Sequence, residues 1–244
     1  MSKKTALKLT ALAAVFSATA VPMTAAAEIS GNLSISNIYF WRGLDISGGT
    51  AQVAGGAQYD HSSGLYAGVW TSSAGFAPGG LIEVVDDDDL GDSAVEVEVG
   101  VSSGMEYDLY AGYGTEVGGV SFDISYWDYN YPGYMDFDLE EVVVGLGVAG
   151  INLTGYIGVG EVGHGDGATD NNSNYYTVDY SYDKYTAKVG TWDFENEDAN
   201  YTHVDLSYAV TDSLALTVSK IVDEEVDDTY SDDALVVVSY SFSL

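Results

Sequence analysis

Residues 174–194 read NYYTVDYSYDKYTAKVGTWDF and change polarity at almost every step on both sides of one small turn. Tyr176, Val178, Tyr180 and Tyr182 share one face, while Tyr175, Thr177, Asp179 and Ser181 share the other. After the turn, Tyr185, Ala187 and Val189 oppose Lys184, Thr186, Lys188 and Gly190. A period of two puts successive side chains on opposite faces of an extended strand. The same period recurs in twelve segments, at 29–42, 49–60, 64–74, 105–117, 119–131, 138–149, 151–161, 174–183, 184–194, 200–210, 213–222 and 234–244. Each is close to the length with which a tilted strand crosses a bilayer.

The connections alternate as well. HSSG (61–64), GG (118–119), AG (149–150), DK (183–184) and TDS (211–213) are hairpin-type turns. Between them come the longer joins GLDISGG, PGYMDFD, GHGDGATDNNS, ENEDAN and VDEEVDDTYSD, with the longest at 75–104. Tight turns at one end and long loops at the other are the layout of an up-and-down transmembrane barrel. The fold class expected is therefore all-β, an antiparallel barrel of about twelve strands. Fourteen is the alternative if LIEVVDDDDLGDSAVEVEVG (81–100) contributes to the wall instead of forming an external hairpin.

Both ends of the chain fit export. Lys3, Lys4 and Lys8 precede the apolar LTALAAVFSATAV (9–21) and the small residues AAA (25–27), which predicts a secretory leader removed after Ala27. The mature chain would be 28–244, a single barrel domain. Its last segment, ALVVVSYSFSL (234–244), resembles the signal read by the bacterial barrel-assembly machinery, with the departure that Leu244 rather than an aromatic comes last. No cysteine occurs, so export brings no disulfide framework. Past the leader only Arg42, Lys184, Lys188 and Lys220 are basic; four against 38 acidic residues leave a formal charge of −34. Such a chain has no basic surface for nucleic acid or an anionic membrane.

One face of the segments carries Val120, Phe122, Ile124 and Tyr126, then Val142, Val144, Leu146 and Val148, Val204, Leu206 and Tyr208, and Leu214, Leu216 and Val218. The other carries Ser30, Asn32, Ser34 and Ser36, Ser121, Asp123 and Ser125, Asn152, Thr154 and Tyr156, and Ala215, Thr217 and Ser219. A dry core is not built of unpartnered hydroxyls and carboxylates, so the expectation is lipid outside and water inside. The inward set reads as mostly small, leaving a narrow passage. The inward candidates for selectivity are Asp108, Asp123, Glu141, Asp179, His203 and Asp205 against Arg42 and Lys188. Either these charges pair and stiffen the lumen, or they form a constriction that prefers cations.

More than half of the acidic residues fall in the long connections, most densely at Asp86, Asp87, Asp88 and Asp89 and at DEEVDD (223–228). Oxygen ligands of this kind can hold Ca²⁺ or Mg²⁺ loosely, but they lack the spacing of an EF-hand or a nonapeptide repeat. A solvated surface, bridged by divalent ions to lipopolysaccharide, accounts for them equally. The histidines argue against an enzyme. His61 sits in a tight turn and His164 in GHGDG, which has no phosphate-loop spacing. His203, Asp205 and Ser207 share one strand face, but their Cα atoms span about 13 Å, too far for a triad in hydrogen-bond contact.

SNIYFWRGLDISGGTAQVAGGAQYDHSSGLYAGVWTSS (36–73) resembles the TorF-type porin family of proteobacterial outer-membrane proteins. So do YDLYAGYG and YWDYNYPGY (within 107–134) and the stretch 178–220. The resemblance covers most of the mature chain, with 81–103 as an insertion. It implies an outer-membrane barrel of pore function for small solutes, with no catalytic residues to carry over. Arg42, in the W-R-G of the first block, is the position singled out, at the outer end of the first strand and facing inward. There it could pair with lumen carboxylates. A surface receptor or adhesin with an occluded barrel, and a plain structural protein, are the rival functions; lumen width separates them. The oligomeric state is not legible in the sequence.

Overall fold

The computed structural model describes residues 27–73, 104–132, 137–163, 168–231 and 233–244. Residues 1–26 of the expected leader (1–27), the acidic run Asp86–Asp89 and His164 lie outside the described residues. Strand β1 (Glu28–Ser36) is followed by a short hairpin, β2 (Phe40–Trp41) and β3 (Leu44–Asp45). Then come β4 (Gln52–Asp60), β5 (Leu65–Ser72), β6 (Glu106–Val117), β7 (Val120–Asn130), β8 (Leu139–Val148) and β9 (Ile151–Val159). A second small pair, β10 (Glu161–Val162) and β11 (Thr169–Asp170), precedes β12 (Asn174–Tyr182), β13 (Tyr185–Asp193), β14 (Tyr201–Ala209), β15 (Leu214–Glu224) and β16 (Leu235–Ser243).

Twelve of these strands close into one antiparallel barrel in the order β1-β4-β5-β6-β7-β8-β9-β12-β13-β14-β15-β16. The seam is made by β1 with β16, from Asn32 opposite Ser243 to Ser36 opposite Ser239. Closure leaves no strand edge, so every wall amide can find a partner within the sheet. β5 pairs directly with β6, from Leu65 opposite Tyr113 to Ser72 opposite Glu106. That pairing decides for twelve strands over fourteen, because β5 and β6 are direct neighbours in a wall that is already closed. An even count puts Glu28, Ser243 and the tight turns at one end and the long connections at the other.

The two faces are inverted relative to a protein folded in water. Leu206 is 59% exposed while its neighbour Asp205 is 5% exposed. The exposed set includes Phe122, Ile124, Val144, Leu146, Val178, Val218 and Val236, one from each outward position of its strand. The buried set includes Asp123, Ser125, Asp179, Thr217, Ser219 and Ser239. A continuous apolar band around a closed wall is the signature of a surface that meets lipid.

One expected strand is shorter than its sequence pattern. β1 leaves the wall after Ser36, not at residue 42, because Asn37 ends the ladder. Its side-chain amide donates to Val236 O (2.9 Å) and its carbonyl oxygen accepts from Val238 N (2.7 Å). The four large residues that follow, Ile38, Tyr39, Phe40 and Trp41, break the alternation. A segment apolar on both faces cannot divide lipid from water, and it folds into the barrel.

The inverted faces make a direct test. Val178→Arg, pointing outward near the middle of β12, should cost about 2–4 kcal/mol of unfolding free energy. Thr177→Arg, one residue away and pointing inward, should cost clearly less. Urea unfolding in lipid vesicles, followed by tryptophan fluorescence, reads both; equal costs would contradict the assignment of faces.

Candidate functional site

The lumen has two unlike halves, and the first connection makes the difference. Residues 38–47 of this connection do not stand above the barrel as an external loop; they fold into its long-loop end, leaving 48–51 exposed. The loop is held compact by Asp45, whose Oδ1 accepts from Ser47 N (2.9 Å) and Ser47 Oγ (2.6 Å) and whose Oδ2 accepts from Gly49 N (2.7 Å). Ser47 Oγ in turn accepts from Tyr39 N (2.9 Å). At the tip, Arg42 and Gly43 join β2 to β3 with φ of +48° and +93°. Positive φ at both central residues is the type I′ pattern, in which glycine is at home and arginine is not. Gly43 also has no room for a side chain, since a Cβ there would lie 2.6 Å from His203 Cγ.

The strained tip carries the main charge of the site. Arg42 is 3% exposed and reaches across the lumen to Glu141 on β8, five strands from β1 in one direction and seven in the other. Arg42 Nη1 donates to Glu141 Oε1 (2.8 Å) and Nη2 to Glu141 Oε2. The guanidinium carbon also lies over four aromatic rings, 4.6 Å from the centroid of Trp41, 4.5 Å from Tyr156, 4.8 Å from Tyr175 and 4.7 Å from Trp192. Burial alone would disfavour its charge, but the Glu141 carboxylate overrides burial and raises its pKa above the usual arginine value. Tyr201 on β14 completes the attachment by donating its hydroxyl to Arg42 O (2.8 Å).

The rings are themselves fixed by the wall. Glu141, Tyr156, Tyr175 and Trp192 stand on β8, β9, β12 and β13, consecutive in the barrel. Trp192 stacks on Phe194 at 4.5 Å and 11°. His203 is fully buried, with Nδ1 2.8 Å from Asp205 Oδ1 and Nε2 2.7 Å from Tyr175 Oη. An ionised carboxylate only accepts, so Nδ1 carries a proton; with the ring neutral, Nε2 accepts from the tyrosine hydroxyl. The remaining member of the His-Asp-Ser row is elsewhere engaged: Ser207 Oγ bonds Thr217 Oγ1 (2.8 Å). The row is a structural relay for Tyr175 rather than an assembled nucleophile.

A second attachment lies near Glu106, which accepts from Tyr39 Oη (2.6 Å) and Tyr131 Oη (2.8 Å). Burial, reinforced by the Glu106 charge, holds the Tyr39 hydroxyl proton well above the ordinary tyrosine range, so this group stays a donor. Asp108, two residues along β6, is buried with Oδ1 unpartnered.

The tight-turn half is different in kind. Gly145, Gly147, Asn152, Thr154, Thr177 and Ser181 line it with small polar groups. Asp123 accepts from Tyr66 Oη at 2.9 Å to each oxygen, and Asp179 Oδ2 accepts from Asn152 Nδ2 (2.8 Å). Lys188 stands in register between Asp179 on β12 and Asp205 on β14, so a belt of two carboxylates and one ammonium crosses three strands. Among the described residues, no group of three His, Cys, Asp or Glu is gathered as a metal site.

The structure thus separates the eight sequence candidates. Arg42 meets Glu141, His203 meets Asp205, Lys188 flanks Asp179 and Asp205, and Asp108 and Asp123 stand apart from these pairs. Arg42 is on a loop inside the barrel, not at the outer end of a wall strand. The expectation of a mostly small inward set fails at the long-loop end, where Tyr110, Tyr129, Tyr156, Tyr175, Trp192 and Tyr201 are all buried. Sequence reasoning missed this cage, although the signal was present: these aromatics occupy the polar parity of their strands.

A family described as a bacterial protein of unknown function matches residues 20–241. No curated protein matches. Among solved structures, the chain is similar to the KdgM porin in complex with disordered oligogalacturonate, at 8% identity and a TM-score of 0.44, covering 88% of this chain and 95% of that one. It is also similar to OccAB4 of Acinetobacter baumannii, at 14% identity and 0.36, covering 80% and 54%. A mutant porin of Rhodopseudomonas blastica gives 11% identity and 0.34, covering 89% and 100%. At such scores and identities none of the three bears on what this chain does.

Removing one partner of a buried ion pair leaves the other uncompensated. Glu141→Gln should therefore lower the unfolding free energy by about 3 kcal/mol or more. Pairing it with Arg42→Met should recover most of that loss, because no buried charge remains. Urea titration of the two refolded barrels checks this; an unchanged single variant would show that the pair does not hold the loop.

Proposed function

The chain belongs to this family, Gcw_chp, and we propose that it forms a passive outer-membrane channel for small cationic or neutral solutes, narrowed by its own first loop. One observation carries the reading: a closed wall with an apolar outside surrounds, in its tight-turn half, a lumen of small and polar side chains crossed by an acidic belt. A barrel serving only as an anchor has no need of inward charge on that scale. Asp179 and Asp205 outnumber Lys188 in the belt, and Asp123 on β7 is a further inward carboxylate apart from it, so the lumen there is net negative, which favours cations over anions. TorF-type porin, read from residues 36–73, is the finer label we attach to it. The leader, the barrel-assembly machinery and divalent contacts between acidic loops and lipopolysaccharide belong to the same proposal, with the tight turns in the periplasm.

The first loop favours a second reading as well. Arg42, Tyr39 and Phe40 fill the long-loop end, as in a barrel that is occluded and serves as a surface receptor. The two readings differ in one measurable respect. For a channel, Arg42→Ala releases the tip and widens the passage; for an occluded anchor, it changes only stability.

Single-channel recording in planar bilayers with a salt gradient decides between them. The channel reading expects discrete steps with a reversal potential on the cation side and larger steps in Arg42→Ala. It also expects weaker cation preference in Asp123→Asn or Asp179→Asn. Silence from both the wild type and Arg42→Ala, each verified as a folded barrel, would overturn it and leave the receptor reading.

A further inference from the structure

Most of the seat that holds the Arg42 guanidinium is not built by the loop that carries it. Trp41 arrives with the loop, but Glu141, Tyr156, Tyr175 and Trp192 belong to four adjacent wall strands. Two of them also have supports outside the loop. Tyr175 is oriented by His203, and His203 by Asp205; Trp192 rests on Phe194. β13 keeps this space clear, since a Cβ on Gly190 would overlap the Tyr175 hydroxyl and the His203 ring. If the tip withdrew, the wall would still present one carboxylate with both oxygens free and three aromatic faces around it.

That set of groups recognises one kind of ligand. Three electron-rich ring faces attract a cation, and a single carboxylate matches one positive charge. Two parallel acceptor oxygens match the planar fork of a guanidinium, whereas an ammonium is a point charge with no such plane. Arg42 satisfies the fork with Nη1 and Nη2 alone, and its Nε, on the stem side, is left without a partner. The seat therefore reads the terminal end of a guanidinium and asks little of what it is attached to.

We propose that this seat is a binding site for guanidinium-bearing solutes, with Arg42 as a tethered occupant that such a solute replaces. The consequence for permeation rests on the channel reading, because replacement would free the tip and admit the cation that displaced it. The binding step does not rest on it. The strained φ of Arg42 favours exchange, since withdrawal relieves a left-handed arginine.

Arg42→Ala empties the seat and allows a test by the missing group itself. The folded variant in detergent is titrated with ethylguanidinium and with ethylammonium at millimolar concentration, reading tryptophan fluorescence. Ethylguanidinium should give a saturable change and bind about tenfold more tightly than ethylammonium. Adding Glu141→Gln should abolish the change, and adding Trp192→Phe should diminish it. Equal responses to the two cations, or none, overturn the proposal. Should Arg42→Ala not fold alone, refolding is repeated with each cation present. Rescue by ethylguanidinium only supports the site, and failure with both overturns it. Planar-bilayer recording of the same preparations separates this from the channel reading. Binding without current in any variant keeps the site and removes the channel, whereas current without binding does the reverse.

Discussion

A backbone amide facing hydrocarbon has no water to bond with, so a sheet in that setting must find all its partners within itself. Here the requirement is met by closing twelve strands at the β1–β16 seam. Closure at that number fixes a circumference wider than side chains alone fill in an eight-stranded wall. The interior then has to be dealt with, and the chain does so differently at its two ends. At the tight-turn end it leaves small polar residues. At the long-loop end it brings in residues 38–47, whose run of four large side chains could not have served in the wall.

Placing that loop inside the barrel sets opposing energies against each other. A left-handed arginine costs roughly 1–2 kcal/mol, and removing its charge from water costs several more. Against this stand a two-pronged ion pair with Glu141, up to about 2 kcal/mol for a desolvated cation over an aromatic face, and the bond from Tyr201 to the tip carbonyl. The balance is local and conditional. It holds while the guanidinium is in its seat and reverses if the carboxylate is neutralised or another cation takes the place. A segment attached by hydrophobic contact alone would lack that sensitivity.

The polar residues divide along the same line. In the long-loop half, two carboxylates are engaged in holding structure, Glu141 by Arg42 and Glu106 by two tyrosines. In the tight-turn half, Asp123 accepts from a tyrosine hydroxyl and Asp179 from an asparagine amide, and Lys188 is shared between Asp179 and Asp205. Charge that holds the loop and charge that lines the lumen are thus separated along the axis. The sequence treats them alike, as inward acidic residues on strands.

Strand count, facing and turn position were legible because each follows from near-neighbour chemistry. The alternation in 174–194 assigns Val178 outward and Asp179 inward whatever the rest of the chain does. A two-residue turn such as Ala149–Gly150 fixes its hairpin locally. The loop and its cage were not legible in this way. Ile38 to Trp41 signal by their broken period that they leave the wall, and Tyr175, Trp192 and Tyr201 signal by their parity that the lumen is not empty. But nothing in the order of residues joins position 42 to positions 141, 156, 175 and 192. That meeting depends on barrel closure, which brings the fifth strand round the wall from β1 within reach of a loop rooted on β1. The sequence by itself determined which face each side chain takes, since that depends only on a period of two. The tertiary structure alone decided which inward side chains meet, since that depends on the curvature and closure of the whole wall.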